Sequence, residues 1–154
     1  LTECYNNNLM WALYGSGHTG AILSFNARHK YFYGNRHKPS APGFFGPISY
    51  RNITSEIHSY LFAFERCFVK GLERSYQKEW RRTQLDSDIG VRGKDAIHLV
   101  DYPRDCIKRL TFGARSSKET MDDIITKVSS MEEFRMVEFY QSLPTLGGLR
   151  LKRL

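Results

Sequence analysis

The sequence predicts an α+β fold: a mixed, mostly antiparallel sheet with two main helices. Three observations carry this. Residues 54 to 69 repeat apolar side chains at three- and four-residue steps, Ser116-x-x-Glu119 opens a second such run, and short strand-like runs lie irregularly around both.

The elements follow in order. Asn7 or Asn8 caps a short helix through Leu9, Met10, Trp11 and Leu13, which Gly15-Ser16-Gly17-His18-Thr19-Gly20 breaks. Ala21 to Phe25 reads as a buried strand, residues 27 to 47 as a long loop rich in Gly, Pro and aromatics, and Ile48 to Arg51 as a strand. From Thr54 to Val69, Ile57, Tyr60, Leu61, Phe64, Cys67 and Phe68 form one helical stripe, with Thr54 or Ser55 as cap and Gly71 as stop. Burying that stripe is worth roughly 10 kcal/mol before entropy, so the helix must pack on another element. Glu79 to Leu85 is a strand, and residues 86 to 93 are a turn region. Ile97 to Val100 is a strand stopped by Pro103, and Cys106 to Phe112 leads into another ending at Gly113. The capping box at Ser116 and Glu119 starts a helix with Met121, Ile124, Ile125 and Val128 on one face. Phe134 to Tyr140 is a strand, Pro144 and Gly147-Gly148 turn the chain, and Leu149 to Leu154 is a last strand.

At 154 residues, with 41% hydrophobic and 14% aromatic content, the chain suits a single globular domain over residues 1 to 154. Its longest apolar run, Tyr60 to Phe64, falls far short of the ~18 residues that span a bilayer. Nothing at the start reads as a signal peptide, and Cys4, Cys67 and Cys106 form no C-x-x-C pair, so a cytoplasmic protein without a membrane partner is expected. Cys67, on the helical stripe, reads as core. The first residue is Leu1 rather than Met, and the expectation is that an N-terminal segment is missing. A net charge of +7 favours an anionic partner such as nucleic acid or a phosphorylated cofactor.

The five histidines have no metal-binding spacing, so no metal site is expected, and no G-x-S-x-G elbow marks a serine nucleophile. The glycines at 15, 17 and 20 follow a helix and precede a strand, the reverse of a dinucleotide-binding order, and read as a tight turn with His18 at a strand mouth. Arg28, Lys30, Arg36 and Lys38 surround Tyr31, Phe32 and Tyr33, a mixture that suits phosphates and base stacking as well as a loop folded onto the core. Residues 74 to 82, RSYQKEWRR, hold the other candidate. On a strand, Gln77 and Glu79 share one face, where Glu79 can accept bonds from a ribose diol and stabilise positive charge on a loosening glycosidic bond, with Tyr76 stacked on a ring. An ion pair between Glu79 and Arg81 or another arginine is the competing reading.

LMWALYGSGHTGAILSFN (residues 9 to 26), SYQKEWRR (75 to 82) and IKRLTFGARSS (107 to 117) together resemble a bacterial and phage family, domain of unknown function 2971. The matching positions are Trp11, Tyr14, His18, Gly20, Glu79, Trp80, Arg81 and Gly113, spread in order over nearly the whole chain. Leu13 stands where the family usually has His, and a preceding segment with an Asn-Asp-Pro motif is absent, so the chain is expected to be the C-terminal two-thirds of a larger domain. The family layout is similar, at a distance, to ADP-ribosyltransferases, which bind NAD in a split sheet and use a Gln-x-Glu or Glu-x-Glu element. The resemblance implies Glu79 as catalytic carboxylate and Gln77 as the group orienting the acceptor. It also implies NAD bound by Tyr14, His18, Tyr76 and Arg81, and an activity directed at a protein or nucleic acid in phage conflict. The alternatives are a non-enzymatic nucleic-acid-binding module contacting its partner through Arg28, Lys30, Tyr31, Tyr33, Arg36 and Lys38, and, third, a hydrolase.

Overall fold

The computed structural model describes residues 1–33, 44–52, 63–83, 90–92, 97–99 and 102–154. They form an α+β structure in two compact units. The first comprises residues 1 to 4 and 30 to 101, and the second residues 5 to 29 and 102 to 154. Most of the first, residues 30 to 101, thus falls in the chain between two segments of the second, with no composition break to announce it.

The second unit holds helix α1 (Asn8–Tyr14), strand β1 (Ala21–Phe25) and, after the insertion, β8 (Ile107–Phe112), helix α4 (Lys118–Ser129), β9 (Glu138–Thr145) and β10 (Gly148–Arg153). Its sheet runs β1-β8-β9-β10. The β1–β8 and β9–β10 pairs are antiparallel and the β8–β9 pair is parallel. Ile107, Leu110 and Phe112 from β8 join Met121 of α4 and Val137 in the core, with Phe25, Ile124, Ile125, Phe134 and Phe139 packed around them.

Asn7 caps α1, accepting from the Leu9 and Met10 amides through its side chain. Trp11 is fully buried and its indole N–H donates to the Tyr5 carbonyl over 2.7 Å. The glycine-rich turn closes the helix by a left-handed path: Ser16, Gly17 and His18 all have positive φ. This path lets the amides of Gly15 and His18 reach the Trp11 carbonyl and that of Gly17 reach Ala12, satisfying the open end of the helix. The turn then docks on Gly113, whose amide donates to Gly20 over 2.8 Å. A Cβ on Gly113 would collide with the His18 carbonyl.

The first unit contains α2 (Lys30–Tyr33), β2 (Phe45–Pro47), β3 (Ser49–Arg51), α3 (Ala63–Arg66), β4 (Val69–Gly71), β5 (Trp80–Arg82), β6 (Gly90–Arg92) and β7 (Ile97–Leu99). The strands associate in pairs, β2 with β5 and β6 with β7 antiparallel, β3 with β4 parallel. Phe45 lies between Phe32 and Trp80, with ring centroids at 5.1 and 5.2 Å, and Phe68 meets Phe44 edge-on at 5.0 Å.

Several expectations change. The helix predicted over residues 54 to 69 is helical at Ala63–Arg66, but the chain turns at Cys67 and Phe68 and enters β4. Residues 53 to 62 lie outside the described residues. Cys67 is therefore exposed rather than core, while its neighbour Phe68 is buried. Gly90 to Arg92, expected in a turn, is strand. The cap of α4 is Ser117, which accepts from the Thr120 amide; Ser116 instead donates to the Thr19 carbonyl, tying the helix start to the glycine-rich turn. β1 is a half-exposed edge strand, not a buried one. The strand expected at Phe134 begins at Glu138, because Phe134 closes a 3-10 turn first. Pro144 extends β9 rather than turning it. Pairing with β8 stops at Gln141, and Pro144 lies beyond that point, so its missing N–H removes no bond from that ladder.

Gly113→Ala should destabilise the chain by roughly 1–3 kcal/mol through the clash with His18. A shift of the urea midpoint without a change in slope would register it.

Candidate functional site

The Glu79 region lies wholly in the first unit and is assembled from four short elements. A 3-10 helix, Leu72–Gln77, ends with Lys78 in the left-handed conformation (φ 40°). The predicted extended run from Gln77 is therefore broken, and β5 starts only at Trp80. Gln77 and Glu79 nevertheless converge, by a bend rather than by strand alternation. They meet at Lys70 of β4, whose ammonium donates to Gln77 Oε1 over 2.7 Å and to Glu79 Oε2.

Arg81 of β5 donates from Nε to the other Glu79 oxygen over 2.5 Å, and its Nη1 donates to the Cys67 carbonyl over 2.6 Å. The Glu79 amide donates to the Tyr50 hydroxyl over 2.8 Å. Gln77 is 3% exposed, and the side chains of Lys70 and Glu79 are each 19% exposed. Both carboxylate oxygens thus accept a charge-assisted bond. Burial pushes the Glu79 carboxyl upward, but the bonds from Arg81 and Lys70 outweigh it and hold the group below its ordinary value. With two cations to one anion, the cluster keeps a surplus of positive charge and of donors.

Tyr76 is half-buried, and its hydroxyl is a distant 3.4 Å acceptor for Gln77 Nε2. The structure thus brings Gln77, Glu79, Tyr76 and Arg81 together. Tyr14 and His18 belong to the second unit, where Tyr14 is exposed and His18 stacks on Trp11 at 6.2 Å. In the basic segment, Arg28 and Lys30 are exposed. Tyr31 carries the Arg82 guanidinium over its ring at 4.0 Å, and Phe32 is buried. Tyr33 ends α2, and Arg36 and Lys38 lie outside the described residues. His29 pairs with Asp105 at 3.2 Å, and among the described residues no three His, Cys, Asp or Glu side chains form a metal-binding group. Nor, among them, is any helix long and apolar enough to cross a membrane.

Two members of the cluster escaped the sequence reading, Lys70 and Tyr50. Lys70 stands next to the predicted helix end, where a cation at a C-terminus needs no other explanation. Tyr50 sits on a strand 29 positions from its partner, and no local spacing links them.

Protein-family models, curated proteins and solved structures were all compared with the chain, and none matches.

Glu79→Gln would leave Lys70 and Arg81 half-buried against a neutral amide, a loss of roughly 1–3 kcal/mol seen as a lower melting temperature. Because the folded-state Glu79 is held below its ordinary value, its contribution is present above about pH 4.3 and disappears as pH falls through the lowered value. The melting temperature of the native chain should therefore drop more steeply on acidification than that of Glu79→Gln.

Proposed function

We propose that the chain is a nucleic-acid-binding module in which Glu79 is a structural carboxylate. The observation that carries this reading is the pairing of both Glu79 oxygens with Lys70 and Arg81. A carboxylate between two cations has its field largely cancelled, and so contributes little to stabilising a developing positive charge. The cluster keeps one net positive charge, in a chain of net charge +7. Arginines lie over tyrosine rings in both units, Arg82 on Tyr31 and Arg109 on Tyr140, the combination of charge and stacking surface that single strands use. Fluorescence anisotropy with labelled single-stranded RNA and DNA is the test. Affinity should fall about tenfold or more between roughly 50 and 200 mM salt. Binding that ignores salt, or no binding, rejects the proposal.

A second reading, NAD-dependent ADP-ribosyl transfer, draws support from one observation. The heads of Gln77 and Glu79 converge on a single donor, Lys70, much as two acceptors would converge on a ribose diol. It also leans on the resemblance to the domain of unknown function 2971 family. Calorimetry with NAD separates the two readings. The transferase requires a saturable heat, and turnover that Glu79→Gln cuts about a hundredfold. The binding module shows neither, and its folded Glu79→Gln variant keeps its affinity for nucleic acid.

A further inference from the structure

The second unit carries a polar cluster that the sequence reading passed over. Arg109 of β8 pairs with Ser24 on one side and Glu138 on the other, Thr111 pairs with Ile22 and Tyr140, and Arg153 of β10 lies opposite Tyr140. Paired residues share a face, and so do residues two apart along a strand. Arg109, Glu138, Tyr140 and Arg153 therefore stand together on the face opposite Leu110, Phe112 and Phe139. The same face is closed at its other end, where Thr111 and Ser142 are 1% and 0% exposed.

The open half is organised around one carboxylate. Glu138 lies 3.7 Å from Arg109 and 3.6 Å from Arg153, beyond hydrogen-bonding length in both cases, and accepts from the Tyr140 hydroxyl at 3.4 Å. The Arg109 guanidinium is centred 4.4 Å over the Tyr140 ring. Its Nε is buried and has no hydrogen-bond partner among the described residues. One anion is thus shared loosely by two arginines, one of them held flat on an aromatic ring. A guanidinium fixed in that way presents a plane on which a base can stack, and its terminal N–H groups suit a phosphate.

We infer that this open half of the sheet face, centred on Arg109, Tyr140 and Arg153, is the contact surface for single-stranded nucleic acid. The inference rests on the nucleic-acid-binding reading and assigns it to a surface other than residues 28 to 38. Arg109 stacks a base while Arg153 takes an adjacent phosphate, in competition with Glu138. Alternation places Arg150 and Lys152 on the opposite face, so they supply an internal control of equal charge.

The test is a salt titration of the whole chain against fluorescein-labelled poly(U) and poly(dT) of about 20 nucleotides, with a duplex of equal length alongside. Replacing Arg109 and Arg153 together by Gln should weaken single-strand binding about tenfold and reduce the salt slope by about 1.4. Neutralising Arg150 and Lys152 should have clearly less effect. Glu138→Gln, which removes the competing anion, should tighten binding. If the double variant proves misfolded, Arg153→Gln alone decides, because that side chain is 70% exposed. A single-strand affinity unchanged by Arg153→Gln, an equal loss from the Arg150 and Lys152 control, or preference for the duplex overturns the surface assignment and leaves nucleic-acid binding standing. An unaltered chain that binds none of the probes overturns both.

Discussion

A carboxylate removed from most of its water needs partners, and in the first unit that requirement falls on Glu79. Its two oxygens draw in Lys70 from β4 and Arg81 from β5, and its amide reaches Tyr50 on β3. Arg81 then extends to the Cys67 carbonyl and Lys70 to Gln77. Two- and three-residue strand pairs have little cohesion of their own. A polar network that crosses between them, next to the packed rings of Phe32, Phe45 and Trp80, supplies what the short ladders lack. The same pairing that makes Glu79 indispensable to this network also draws down its electrostatic reach toward a substrate.

The second unit relies on different physics. Its core is apolar, with β8 central and α4 laid against it, and its polar economy is concentrated on the other face of the sheet. The left-handed turn at Ser16, Gly17 and His18 joins these features. It caps α1, packs against Gly113 and receives the Ser116 hydroxyl at the carbonyl of Thr19, so one strained segment fixes both a helix end and a strand end. The histidine in that turn stacks on Trp11.

The two candidate binding features have a common construction. Lys70 and Arg81 flank Glu79, and Arg109 and Arg153 flank Glu138. They differ in closeness. The first pair makes short bonds in a mostly buried site, whereas the second is loose and open.

The α+β class, the content of α1, the bounds of β1, the apolar face of α4 and the positive charge were all legible along the chain. Each of these depends on nearest neighbours along the chain: a side chain reaching an amide two or three residues on, or a period of two or 3.6. Even there the local signal slipped where two answers were adjacent, as with Ser116 and Ser117, because only the contact with Thr19 distinguishes them. Tertiary structure alone decided what Glu79 pairs with. Arg81 was legible as a candidate two residues away. Lys70 and Tyr50 were not, because the bend at Lys78 and the β3–β4 pairing that bring them in are long-range events. It also decided that Arg109, Glu138, Tyr140 and Arg153 form one cluster. They lie on three strands, and which of their alternating side chains share a face is fixed by strand register, which no single strand's sequence contains.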